Sequence, residues 1–162
     1  MSGVSFSFGG ILTVIEDFRG PKGVWTMRDK GEVVFRSSMK AQPTLSHYGI
    51  TELARAGLLK FVVSTNMDAL HLRSGLPVHM LSEQHGNKHK ERCEQCDSEY
   101  YRQYDTLETV TSTRGHYTGR ICTFCNGKLK DTIVHFSESL HPKDMTMALY
   151  HARASDLAVV MG

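Results

Sequence analysis

Three features of the 162-residue sequence predict an open α/β fold, a parallel sheet interrupted by a small metal-binding insert. A helix-patterned stretch, "KAQPTLSHYGITELARAG", runs directly into a β-branched strand, "LKFVVST", whose end carries Asn66 and Asp68. The same order returns late in the chain, where "DMTMALYHARASD" gives way to "DLAVVMG". Between them lie two Cys-x-x-Cys pairs. Helix-to-strand alternation builds parallel sheets, and ligands of such sheets lie beyond the carboxyl ends of the strands.

Each element follows from local pattern. The opening "VSFSFGGILTVIEDF" is apolar, but Arg19 is the first basic residue, so the basic start of a secretory signal is missing and an intracellular protein is expected. Residues 20–40 are rich in glycine and charge and read as a loop. Pro43 suits a helix start, Leu45, Tyr48, Leu53 and Ala56 recur at helical spacing, and Gly57 suits the end. "LKFVVST" reads as a buried strand closed by the polar turn "TNMD", and "HMLSEQHG" alternates as a second strand. Residues 93–125 are polar and aromatic, as expected of a separate module, with bounds at 88–130. "KDTIVHF" resumes as a strand, Met145, Leu149 and Ala152 mark a helix, and "DLAVVMG" closes as a strand.

Composition excludes more than it selects. A formal charge of +2 gives no indication of direct nucleic-acid binding, and no apolar run approaches the roughly 20 residues that cross a membrane. Four cysteines in two identical pairs, without an export signal, point to metal rather than disulfides. Cys93, Cys96, Cys122 and Cys125 supply the four thiolates of a closed tetrahedral zinc site, which has no open position for water and is therefore structural. Three thiolates with His89 or His116 is the alternative, and it leaves one cysteine idle. Among nine histidines spacing selects none, although His85 ends a strand and precedes a flexible glycine.

The ordered set "DFRGPKGVWT", "KAQPTLSH", "VVSTNMDALHLRSGLP", "LSEQHGN", "CEQC", "TGRICTFC", "LKDTIVHFSE" and "DLAVVMG" resembles the catalytic domain of the sirtuins, most nearly the nuclear class IV branch. The match runs from about Asp17 to Gly162. It implies a Rossmann-like NAD-binding sheet over residues 1–162, partial, with a zinc-ribbon module inserted at 88–130. It implies NAD-dependent removal of acyl groups from protein lysines, histones among the candidate substrates, and residence in the nucleus. In that chemistry the amide oxygen of the acyl-lysine is the nucleophile, so the protein needs only to orient two substrates, exclude water and supply one base. By resemblance His85 is that base, Asp17, Phe18, Arg19, Asn66, Asp68 and Gly162 hold the cofactor, and Val134 and Phe136 wall the acyl-lysine.

The resemblance has gaps. "SFSFGGILTVIE" stands where the family carries a Gly-Ala-Gly-Ile phosphate loop, and Glu16 where proline is usual. Thr65 replaces a glutamine, and Ala69 and Ser137 each replace a glycine. The second reading is therefore a catalytically impaired remnant, a zinc-stabilised module that binds a protein partner.

Overall fold

The computed structural model describes Lys30 and residues 41–110 and 115–161. Asp17, Phe18, Arg19 and Gly162, expected to touch the cofactor, lie outside the described residues.

Helix α1 spans Leu45–Arg55 and is capped by Thr44. The Thr44 backbone N–H donates to His47 Nδ1 at 3.2 Å, and the hydroxyl lies 2.8 Å from the same nitrogen. That nitrogen therefore carries no proton. The helix buries His47, Thr51 and Ala54, not the expected apolar stripe, whose Leu45 is 72 % exposed. The reason lies in the partner helix α2, Leu70–Arg73, which offers polar groups to α1. Thr51 and Ser74 hydroxyls meet at 2.8 Å, and the His47 and His71 rings lie 5.0 Å apart.

Strand β1, Val62–Ser64, pairs in parallel with β2, Leu81–Glu83. The second strand is shorter than its alternation predicts because Pro77 opens a 3-10 turn over Val78–Met80. Leu70 and Leu76 are buried between the two strands in the sequence.

A second, four-stranded antiparallel sheet has the order β4-β3-β6-β5. Its strands are β3, Lys90–Cys93; β4, Glu99–Tyr101; β5, Tyr117–Ile121; and β6, Lys128–Asp131. Cys93, Cys122 and Leu129 form its small core, with Tyr100 packed against them. Across the sheet the buried Glu91 carboxylate accepts hydrogen bonds from the Thr118 hydroxyl and from Arg102 and Arg120 at 2.6 Å each. Burial opposes the charge, but these donors hold the Glu91 carboxyl below its usual range.

Helix α3, Pro142–Ala154, starts with proline in its first turn, where the missing N–H costs nothing. That turn is the joint between the sheets. The Asp144 carbonyl accepts from Ser82 Oγ at 2.8 Å and Gln84 Nε2 at 3.0 Å. Its carboxylate accepts from Arg92 at 3.0 Å, while Arg92 also reaches Glu99 at 2.6 Å. Of the apolar positions at helical spacing, Met145 and Leu149 are exposed, and Ala148 is the buried residue.

Two expected strands differ. "KDTIVHF" leaves the ladder after Asp131, because side chains then take over the backbone partners: Asp131 Oδ1 accepts the Ile133 N–H, and the Thr132 hydroxyl bonds to Asn87. Residues 156–161 form no ladder, because β1 and β2 are the only parallel pair among the described residues and neither pairs with them.

Candidate active site and metal centre

The two Cys-x-x-Cys turns are near copies. In each, the residue two past the first cysteine donates its N–H to that sulfur at 3.4 Å, from Gln95 to Cys93 and from Phe124 to Cys122. In each, the residue after the second cysteine, Asp97 or Asn126, is left-handed and returns its N–H to the first cysteine's carbonyl. The chain can make this turn against the other knuckle only with glycine at 127, where a Cβ would press on Cys93 Sγ at 2.9 Å. The four sulfurs all lie within 4.8 Å of one another, with Cys93–Cys125 at 3.4 Å and Cys96–Cys122 at 3.6 Å. A tetrahedron with metal–sulfur bonds of about 2.3 Å needs sulfurs about 3.8 Å apart, so the set fits a metal with little movement. Burial disfavours a Cys122 thiolate, yet the Tyr100 hydroxyl and the N–H groups of Cys125 and Phe124 hold that thiol down to about 6. No histidine joins the set. His89 Nδ1 lies 2.8 Å from the Tyr104 carbonyl, and His116 lies between Asp131 and Glu138.

Three loops meet at the carboxyl end of the parallel pair. The Gln84 N–H donates to the Ser64 carbonyl at 2.8 Å, carrying the pairing one residue past β2. The Lys88 N–H donates to the Met67 carbonyl at 3.0 Å, so the Asn66–Asp68 turn and the His85 turn are stitched together. The Val134 N–H donates to the His85 carbonyl at 3.1 Å and brings the third segment to the same place. His85 is exposed there, Asn66 and Val134 are half-buried, Asp68 is buried and Phe136 is 73 % exposed. Asp68 Oδ1 accepts the Leu70 N–H at 2.9 Å, which fixes its carboxylate. Burial holds the neighbouring His47 and His71 imidazoles below their usual range, although the Asp68 charge pulls both upward.

The turn that presents His85 rests on groups that sequence spacing did not single out. Asn87, fully buried, donates to Glu83 Oε1 at 2.7 Å and accepts the His89 N–H at 2.8 Å. Lys90 Nζ meets the other Glu83 oxygen at 3.1 Å. The Asn87 N–H donates to Thr132 Oγ1 at 3.0 Å. Gly86 has φ +81, and a Cβ there would overlap the Thr132 carbonyl, so glycine is what lets the third segment approach. Composition gives no signal for such a network, since polar residues at a strand end usually face water.

Ala69 and Ser137, the two positions where glycine was expected, both adopt left-handed backbone, at φ 62 and 71. A Cβ in that region costs roughly 1–2 kcal/mol, of which glycine's unfolded-state freedom returns part. Ala69→Gly and Ser137→Gly are each expected to stabilise the fold by roughly 0.5–1 kcal/mol, read as a rise in melting temperature of about 2 °C. A fall in both melting temperatures would contradict this account of the strain.

Residues 30–162 match the family model described as the Sir2 family. The chain belongs to the Sir2 family. It is 42 % identical over 166 residues to the NAD-dependent protein deacetylase SRT1 of Arabidopsis thaliana, covering 98 % of this chain and 34 % of the plant protein. It is 48 % identical over 140 residues to the NAD-dependent protein deacetylase sirtuin-7 of Bos taurus, covering 83 % of this chain and 35 % of the bovine protein. The sirtuin thus spans about a third of the length of these curated relatives. A solved Sir2 complex with a p53 peptide and NAD+ aligns at 28 % identity and a TM-score of 0.52, covering 84 % of this chain and 59 % of that one. The Rossmann-like α/β class expected from the motifs holds, as does the resemblance to the sirtuin family.

Proposed function

We propose that this sirtuin chain carries the base and the zinc module of an NAD-dependent protein-lysine deacetylase. The observation that supports the reading is the convergence of three loops: the His85 turn is bonded to the Asn66–Asp68 turn on one side and to Val134 on the other. Residues 1–162 would form the partial deacylase domain, with residues 88–130 as its inserted zinc-ribbon module.

The four cysteines fit the zinc that the family implies. Zinc would be held by Cys93, Cys96, Cys122 and Cys125, a closed sphere that contributes fold rather than chemistry. NAD would lie against Asn66 and Asp68, with Asp17, Phe18, Arg19 and Gly162 completing its contacts. When bound, NAD would supply an electrophilic ribose carbon, with nicotinamide as its leaving group. Asn66 and Asp68 orient the sugar and the nicotinamide amide. Val134 and Phe136 line the acyl-lysine and exclude water from it. His85 would take the proton from a ribose hydroxyl of bound NAD; a neutral imidazole suits the task. The substrate would be an acyl-lysine of a protein, a histone being the natural candidate in a nuclear setting.

The test is nicotinamide release from NAD with an acetyl-lysine peptide. Steady-state release, which requires each turnover to finish, is expected to fall at least about 100-fold in His85→Ala, the usual span of a general base. Release that survives the substitution removes His85 from that role. The second reading, a protein-binding module without turnover, draws on the exposure of Phe136 and on "SFSFGGILTVIE" in place of the family's phosphate loop. A folded, metal-loaded chain that releases no nicotinamide favours it.

A further inference from the structure

The segment from Asp131 to Glu138 carries Val134 and Phe136, yet it leaves the ladder after Asp131. Its shape is fixed from its ends. Asp131 Oδ1 accepts the Ile133 N–H at 2.8 Å, and Glu138 Oε2 accepts the His135 N–H at 2.7 Å. One imidazole joins these two carboxylates. His116 Nδ1 lies 3.1 and 3.2 Å from the Asp131 oxygens, and Nε2 lies 2.9 Å from Glu138 Oε1. A neutral imidazole has one N–H and one lone pair, and a lone pair facing a carboxylate repels it. Both contacts attract only when the ring carries two protons.

A second observation concerns the backbone. His116 is left-handed, at φ 58, a conformation that costs a residue with a Cβ roughly 1–2 kcal/mol. Strain of this kind persists where the surroundings hold a side chain to a particular task. Here the Asp131 N–H donates to the His116 carbonyl at 2.8 Å, so backbone and ring are gripped by the same residue.

We infer that His116 is a positioning residue for the acyl-lysine segment, clamping Asp131 to Glu138 while its ring holds both protons. The acyl-lysine role of the segment rests on the proposed function; the clamp itself does not. Among the described residues the groups facing the ring are few. His135 stacks on it with centroids 5.1 Å apart. The β6 cations are engaged elsewhere: Lys128 and Lys130 lie over the Tyr117 ring at 5.1 and 4.8 Å, and Lys130 reaches toward Glu94 at 3.6 Å. Burial disfavours a charged His116, but hydrogen bonds to Glu138 and Asp131 outweigh it and hold the imidazole above its usual range. Burial also opposes the Glu138 charge, yet its bonds to His116 and the His135 N–H hold that carboxyl low, while burial pushes Asp131 up. Stabilisation by the clamp is therefore complete below the unfolded imidazole value of about 6.5 and is lost as pH rises through the higher folded value. Glu138, the more exposed partner, is the one released.

The experiment uses the full metal-loaded chain and has two arms. In the first, NMR follows the His116 ring and the amides of Ile133, Val134 and Phe136 against pH. The expected result is one shared midpoint, which moves to lower pH in Glu138→Gln while the Val134 response is lost. Amides that ignore the His116 titration, or a midpoint unmoved by Glu138→Gln, overturn the clamp. In the second, binding of a labelled acetyl-lysine peptide is measured across the same range. Affinity is expected to fall roughly tenfold above the midpoint, the size of one charge-assisted hydrogen bond, and to be flat in Glu138→Gln. A flat profile in the unmodified chain overturns the positioning role. No binding at any pH overturns the acyl-lysine reading and the positioning role together, and the first arm still decides the clamp.

Discussion

Removing the metal is expected to unfold the four-stranded sheet, and any one of the four cysteines changed to serine is expected to do the same. The sheet's buried apolar cluster is Cys93, Cys122 and Leu129, two of which belong to the four-cysteine set that could hold a metal. So small a core is expected to leave the strands dependent on a bound ion. Structural zinc contributes about 10–16 kcal/mol in small modules, against a total stability of about 5–15 kcal/mol for a typical domain. The damage should spread, because Arg92 on β3 reaches Asp144 in the first turn of α3. Thermal unfolding with and without a chelator, alongside metal analysis giving one zinc per chain, measures this. The pattern across positions separates metal from packing. Cys93 and Cys122 are buried while Cys96 and Cys125 are exposed. If sulfur packing alone held the sheet, Cys96→Ser and Cys125→Ser would be nearly harmless. A closed coordination sphere makes all four costly.

Sequence pattern locates the parts of this molecule whose physics is local. Two cysteines separated by two residues can form only a few turns, so a doubled pair marks its site before any fold is known. Pro43 marks a helix start for a similarly local reason, two residues before α1 begins at Leu45. Ala69 and Ser137 stood out as replacements for glycine, and their positive φ values supply the physical reason glycine suits those places. Long-range partners decide what was missed. The apolar stripe Leu45, Tyr48 and Leu53 is as regular as a core face, yet α1 meets α2 through Thr51 and His47. "DLAVVMG" has the composition of a buried strand, but a strand exists only beside a neighbour, and the described residues provide none. "KDTIVHF" breaks at Asp131 because a carboxylate, an imidazole and a threonine hydroxyl displace the ladder. His116 sits 15 residues from Asp131 and 22 from Glu138, and no periodicity connects them.

Glu83→Ala is the second substitution expected to have a large effect, and its size follows from Lys90. The two side chains are 5 % and 4 % exposed and 3.1 Å apart. Deleting the carboxylate strands a buried ammonium, which costs about 3–5 kcal/mol. The pair itself is not a net source of stability. Burial pushes the Glu83 carboxyl above its usual range even though Lys90 and Asn87 pull it down, so its charged form is not fully compensated. A carboxyl raised in the folded state contributes most below its unfolded value and loses that contribution as pH rises. The double variant Glu83→Leu with Lys90→Met is therefore expected to recover most of the loss in a urea unfolding midpoint. It should not recover the turn. Asn87 Nδ2 loses its acceptor in the double variant, and Asn87 spans the loop between Glu83 and His89 that presents His85. Amide exchange at Gly86, Asn87 and Val134 is expected to quicken in the double variant despite its restored midpoint. If those amides stay protected, the carboxylate is packing and nothing more. If they open, the buried charge is retained for where it holds His85, and stability is what the fold gives up to keep it there.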